Sequence, residues 1–339
     1  MQISVEAARD LAVAAFCRLG VRHDDAVTAA DPLVLTEMMG LPTHGLSRVI
    51  TYCDRIKAGG IDPDAVIEVR APTLALRHVD GHDGLGPVTA MRCVTEAQAA
   101  ARAAGVGAVF VRGATHVGAL VPYLWHATQS GCAAVITTAT APMIAPAGGR
   151  EALIGNNPIG IGVPIEGRDP VLLDMALSMV SRSRVRAARD AGREIPSDWA
   201  LDASGHPTTD PKAALEGVLQ AIGGPKGANL SLCLDLFAAS LGGGKLLGRI
   251  ADQHKDPSRR QGFSMMFLLV DQTALRDIAE PDANVRDALD QVEQSAPADP
   301  DKPVRLPGAR AVAAMREAEQ RGLSVPAPLL DQLKSLAGA

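Results

Sequence analysis

The first chemical signal in this chain comes from three residues spaced four apart. A helix over Thr43–Ala58 would set His44, Arg48 and Tyr52 one turn apart on a single face. Pro42 disfavours helical geometry at Leu41, Thr43 can cap the helix, and Gly59-Gly60 can end it. That face offers a group titrating near neutrality, a rigid fork of donors and a phenol. An organic acid suits the set: Arg48 holds a carboxylate bidentately, with Thr43 and Tyr52 beside it, while His44 exchanges a proton with an adjacent oxygen or nitrogen. Taken alone, residues at this spacing more often form an ordinary solvated helix face with a half-buried tyrosine.

The remaining candidates are weaker individually. His116 lies in a loop between Gly113 and Gly118, and by itself reads as a solvent-facing loop residue. His82 sits in a glycine-rich turn, and His23, His78, His126, His206 and His254 show no partner pattern. Arg182, Arg184, Arg186 and Arg189 crowd one segment. They read first as a solvated basic face, and one or two of them can reach a phosphate. Gly223-Gly224-Pro225-Lys226-Gly227 opens a helix whose N-terminal N–H groups can receive a phosphate. No GxGxxG follows the first strand, so a Rossmann dinucleotide site is not supported.

These residues must be positioned by an α/β framework. Helices are expected over 4–19, from Asp24 or Asp25 to about Met39, and over 43–58, an all-helical N-terminal layer. The pattern changes at Pro72. A strand over 73–79, a turn at 80–86, an Ala-rich helix to 104, a strand over 106–111, a helix to about 129 and a strand over 132–138 follow. Residues 140–164 read as loop. Then come a strand at 171–175, helices at 178–191, 213–219 and from 225 to about 241, a strand at 262–270 and a helix at 284–295. A Pro-rich linker over 297–307 leads to two closing helices, about 309–321 and 326–337. The expected domains are 1–72 joined by 304–339, and a central 73–303.

Composition bounds the class. With 339 residues, 47% of them hydrophobic, the chain can bury a large core. A net charge of −5 and 3% aromatics argue against nucleic-acid and anionic-membrane partners. Five scattered cysteines with no CxxC pair suggest neither a disulfide framework nor a metal site. No signal peptide or spanning segment is evident, so a cytoplasmic location is the expectation.

The segment Thr43-His44-Gly45-x-x-Arg48 resembles the signature of the type-2 malate/L-lactate dehydrogenase family, NAD(P)-dependent oxidoreductases unrelated in fold to the Rossmann-type lactate dehydrogenases. Further matches follow in order: Asp80-Gly81 to Gly84-Leu85-Gly86, Thr115-His116-Val117-Gly118-Ala119, Ala145–Gly149 with Gly155–Ile159, Asp174-Met175-Ala176, Ile195-Pro196 to Trp199, the Gly223–Gly227 run, and Leu306-Pro307-Gly308. The resemblance implies a non-Rossmann fold, with terminal helices packed on a central mixed-sheet cofactor domain, and a homodimer. It implies catalysis by His44, Arg48 and His116. Cofactor contacts are implied at His116, Gly118, Ala119, Leu120, Thr140, Asp174, Met175, Ala176, Lys226, Pro307 and Gly308. Arg182 or Arg184 is the candidate for a 2′-phosphate, which puts NADP(H) ahead of NAD(H). The implied reaction interconverts a 2-oxo acid and a 2-hydroxy acid. Two alternatives stand beside it: NADPH-dependent reduction of a cyclic ketimine carboxylate, and a catalytically degenerate binding protein, motivated by Ala309 where the family has Glu. Ala147 and Val117 replace bulky residues, which suggests a roomier pocket.

Overall fold

A computed structural model describes residues 1–275 and 281–339. In chain order the elements are β1 (Gln2–Ile3), α1 (Val5–Cys17), α2 (His23–Met38), α3 (Ser47–Ala58), β2 (Glu68–Arg70), β3 (Leu76–Asp80), α4 (Gly86–Ala104), β4 (Val106–Ala114), α5 (Val121–Gln129), β5 (Cys132–Thr138), β6 (Ile159–Val163), β7 (Val171–Met175), α6 (Arg182–Asp190), β8 (Ala200–Leu201), α7 (Pro211–Glu216), β9 (Val218–Leu219), α8 (Pro225–Gly242), β10 (Phe263–Asp271), α9 (Pro281–Glu293), α10 (Ala309–Arg321), β11 (Leu323–Ser324) and α11 (Ala327–Ala337).

A seven-stranded mixed sheet, in the order β2-β3-β4-β10-β5-β6-β7, forms the centre. Only β3 and β4 run parallel; the other pairings are antiparallel. The register lays Val109, Phe267, Ile136, Gly160 and Asp174 side by side in one row across five strands. Since side chains alternate along a strand, this row faces one side of the sheet, where α4 and α5 pack. Its first three members are fully buried, each burial contributing about 1.5–3 kcal/mol. The row ends on Asp174, so the same alternation brings a carboxylate under the start of α5. On that side Gly160 and Gly162 lie so close to Leu120, Leu124 and Thr128 that a Cβ would press on their side chains at 3.0–3.4 Å. This explains why 159–163 is a strand although its glycines suggested a loop.

The helical layer differs from expectation in one functional detail. The helix expected over Thr43–Ala58 starts at Ser47, and Thr43 does not cap it. His44 therefore sits on a turn ahead of α3 and not on the same helical face as Arg48 and Tyr52. The cause is tertiary. Glu37, buried on α2, accepts the Leu46 N–H through Oε2 at 2.9 Å. Gly45 lies against the Glu37 backbone so closely that no Cβ fits. Elsewhere, β2 lies before residue 73 yet pairs with β3 in the central sheet. The terminal layer also carries a small sheet of β1 and β11. In it α11 packs on α1 and α3, and α10 on α2. Among the described residues no helix is long and apolar enough to cross a membrane.

On the opposite face α8 covers β4, β10 and β5. Its inner side includes Asp235, 1% exposed, with neither oxygen in a hydrogen bond to the described residues and the Leu247 amide nearby. Burial pushes the Asp235 carboxyl up to about 6. A raised carboxyl pKa makes the fold lose stability as pH climbs from the unfolded value, near 4, through 6. Asp235→Asn is expected to remove that slope and to stabilise the fold at pH 8 by roughly 1–3 kcal/mol, as read from urea midpoints at pH 5 and pH 8.

Candidate active site

The site forms where the loop after β4 meets α3 and the turn before it. Tyr52, fully buried, reaches His116 Nδ1 through its hydroxyl at 2.8 Å. The Gly118 amide donates to the same nitrogen at 3.2 Å. A backbone N–H can only donate, so Nδ1 is the unprotonated nitrogen and Tyr52 must donate to it as well. The ring proton of neutral His116 therefore sits on Nε2. Gly118 has φ +83°, and a Cβ placed there would lie 3.2 Å from the His44 carbonyl oxygen. A side chain there would be strained and crowded, which accounts for glycine at this position.

His44 lies against His116 with ring centroids 6.1 Å apart and planes 24° apart. Its Nδ1 is 3.0 Å from the Thr43 hydroxyl. Burial, then the nearby Arg48 charge, lowers His44 to about 4. Burial first, then Arg48 and His44, hold His116 well below its ordinary value. Both rings are thus neutral at pH 7. Arg48 has no ion pair among the described residues, and its buried Nε has no hydrogen-bond partner. A half-buried guanidinium without a counter-ion, beside two neutral imidazoles, is an anion receptor with proton carriers at its edge.

A second region continues from the same loop. Asp174 Oδ2 accepts the Leu120 and Val121 amides at 2.7 and 2.9 Å, capping α5 from across the sheet. Burial raises its pKa. Beside it runs a groove of about 870 Å³ lined by Val121, Asp174, Pro307, Gly308, Arg305 and Arg310, among others. Its size and its donors and cations fit an extended, phosphate-bearing cofactor. Pro307 is held there by accepting the Leu172 amide at 3.1 Å. Gly308, with φ +87°, lies against the Leu172 backbone.

The other expected cofactor residues fall in different places. Ala119 is buried in the loop before α5. Met175 and Ala176 follow Asp174 at the end of β7. Thr140 is held by Asn156 and Asn157, its amide donating to Asn157 Oδ1 at 2.8 Å. Arg182 donates to the Leu215 carbonyl at 2.7 Å, and Arg184 lies 6.0 Å from the centre of the Trp199 ring. Lys226 is exposed in the first turn of α8. Val117 is buried in the main core and Ala147 is exposed.

Three residues escaped the sequence reading. Gln261 Oε1 accepts the His116 amide, Arg55 binds that same oxygen, and His254 lies within electrostatic reach of His116 and Arg48. Their separation from His116 in the chain leaves no local pattern to find.

A model of the malate/L-lactate dehydrogenase family matches residues 3–334. The chain belongs to this family. It is an NAD(P)-dependent dehydrogenase or reductase of the type-2 class. The dehydrogenase is 33% identical to a (2R)-3-sulfolactate dehydrogenase (NADP(+)) of Chromohalobacter salexigens, covering 99% of this chain and 98% of that one. It is 32% identical to a Δ1-pyrroline-2-carboxylate reductase of Ancylobacter novellus, covering 97% and 94%. Its fold matches the solved sulfolactate dehydrogenase of Methanocaldococcus jannaschii with a TM-score of 0.91 at 29% identity, over 100% of this chain and 97% of the other. The expectation of a non-Rossmann mixed-sheet oxidoreductase of this family therefore holds.

Proposed function

We propose that this dehydrogenase interconverts a small 2-oxo acid and its 2-hydroxy acid, with Arg48 holding the carboxylate, His116 Nε2–H bonding the C2 oxygen and His44 carrying the proton. The observation that carries this reading is a buried Arg48 Nε with no partner among the described residues, in a guanidinium close enough to lower both His44 and His116. His116 is the fixed partner, because the Gly118 amide and Tyr52 hydroxyl leave its Nε2 proton no other tautomer. It can polarise a carbonyl but has no second proton to give at pH 7. His44 has no such lock. A carboxylate on Arg48 cancels one of the two causes that hold His44 down, so substrate binding itself raises the basicity of the proton carrier.

Asp174, Val121, Pro307 and Gly308 along the groove would hold a nicotinamide dinucleotide, which would supply hydride chemistry when bound. NADP(H) stands ahead of NAD(H): Arg305 and Arg310 border the groove, and the Chromohalobacter relative is named for NADP(+). A homodimer belongs to the same proposal. The outer face of α8 shows Leu230, Phe237 and Leu241, each at least 42% exposed, an apolar strip that a second copy would cover.

Reduction of a cyclic ketimine carboxylate is the second reading, favoured by the likeness to the Ancylobacter reductase; Arg48 and His44 serve a C=N substrate equally well. The deciding experiment follows NADPH and NADH oxidation against 2-oxo acids, including dicarboxylic and sulfonated ones, and against cyclic ketimine carboxylates. Faster turnover of a 2-oxo acid with NADPH is expected. Turnover of ketimines alone would replace the first reading with the second.

A further inference from the structure

Arg55 is a buried cation that the mechanism above does not use. It lies on α3, three residues after Tyr52 and seven after Arg48, and is 1% exposed. Among the described residues no acid forms an ion pair with it; Tyr52 and Asp83 act on it only through space. Instead Nη1 donates to Gln261 Oε1 at 2.5 Å, and Nη2 donates to the carbonyls of Gly60 at 2.9 Å and Arg259 at 3.0 Å. Burying a guanidinium on neutral acceptors alone is costly, and an apolar side chain of similar volume would usually serve the fold as well.

What the guanidinium joins is specific. Gln261, also 1% exposed, accepts the His116 amide on the same Oε1 at 3.2 Å and donates from Nε2 to the Ala251 carbonyl at 3.4 Å. Gly60 lies against the Pro257 carbonyl so closely that a Cβ would collide with it. Together these contacts strap residues 251–261 to the C-terminal end of α3. The strap carries His254 in a turn where Asp252 Oδ1 accepts the His254 amide at 2.9 Å. The helix carrying the carboxylate anchor, the backbone of the fixed histidine and the segment bearing His254 thus meet at one guanidinium.

We propose that Arg55 is a positioning residue of this active site: through Gln261 it sets the backbone at His116, and through Gly60 and Arg259 it holds the 251–261 strap against α3. Its fixed charge has a second consequence. The groups facing His116 are Arg48, Tyr52 and Arg55 from α3, His44 from the turn before it, and His254 from the strap. Arg55 is one of the cations among them that favour the neutral ring, after burial and after Arg48. The inference rests on the reading of His116 as a site residue.

Three variants test it: Arg55→Met, Arg55→Lys and Gln261→Leu. Arg55→Met removes charge and hydrogen bonds while keeping volume. Assayed well below its melting temperature, it should lose about a hundredfold in kcat, the scale of a small misplacement of reacting groups. Amide exchange at His116 should accelerate, and its imidazole titration, followed by NMR, should move up. Arg55→Lys and Gln261→Leu keep a cation in place. They should lose kcat and amide protection but leave the imidazole titration where it was. Parental kcat, amide exchange and titration in Arg55→Met would overturn the proposal, and so would one identical titration shift in all three variants. If the parent enzyme reduced none of the substrates offered, the functional reading would fall, while His116 exchange and titration would still decide the role of Arg55.

Discussion

Arg48→Leu is expected to lower kcat/KM for a 2-oxo acid by about 10²–10³-fold and, at the same time, to raise the urea midpoint. The two effects share one cause. The Arg48 guanidinium is half-buried, lacks an acidic partner among the described residues, and has a buried Nε with no protein acceptor among them. An apolar side chain relieves that cost, about 1 kcal/mol or more for one unsatisfied buried donor. The substrate carboxylate loses a charge-assisted, bidentate partner, for which removal of one member typically costs about 2–5 kcal/mol. Arg48→Lys retains the charge without the fork and should fall between the two. NADPH affinity, measured by fluorescence, should stay near the parental value, because the groove at Asp174 and Gly308 does not include Arg48. An Arg48→Leu enzyme with parental kcat/KM would remove the anchor from the mechanism.

His44→Gln is expected to reduce kcat by about 10²–10⁴-fold, the usual range for a general acid–base group, and to abolish a proton uptake that accompanies substrate binding. Free His44 sits at about 4, lowered first by burial and then by Arg48. An anion on Arg48 cancels the second cause, so the bound-state value is higher. A group whose pKa rises on binding takes up protons in the interval between its free and bound values. Uptake is therefore expected above about pH 4 and should fade as pH rises past the bound value. Calorimetry of oxamate binding at pH 5.5, in two buffers of different ionisation enthalpy, reads it directly. His116→Gln should lose turnover yet keep the uptake, since His116 acts as a fixed hydrogen-bond donor. Equal uptake in the parent and in His44→Gln would assign the proton to another group.

Much of this protein was legible in its sequence. The alternation of apolar strands with Ala-rich helices depends on local periodicity, and Val106, Cys132 and Val171 start strands where that periodicity places them. His44, Arg48, Tyr52, His116 and Gly118 do converge, because two short segments each carry a compact motif. Where the sequence misled, a distant contact decided the local geometry. Propensity favours a helix from Thr43, but Glu37 on α2 takes the Leu46 amide and starts the helix at Ser47. Gly160 and Gly162 suggest a loop, but α5 needs their bare faces for packing and the sheet supplies their hydrogen bonds. The four arginines of 182–189 look alike in sequence, and only their partners, Leu215, Trp199 and Asp190, distinguish three of them.

The sequence by itself determined the residue types of the site, the α/β framework and the family. The tertiary structure decided which nitrogen of His116 carries its proton, why both imidazoles are neutral, and that Arg55 and Gln261 stand behind them. The physical reason is range. Secondary structure and motif spacing arise from neighbours within a few residues. The Tyr52–His116 contact and the junction of Arg55, Gln261 and His116 join groups 64 to 206 residues apart in the chain, and they exist only once the chain has folded.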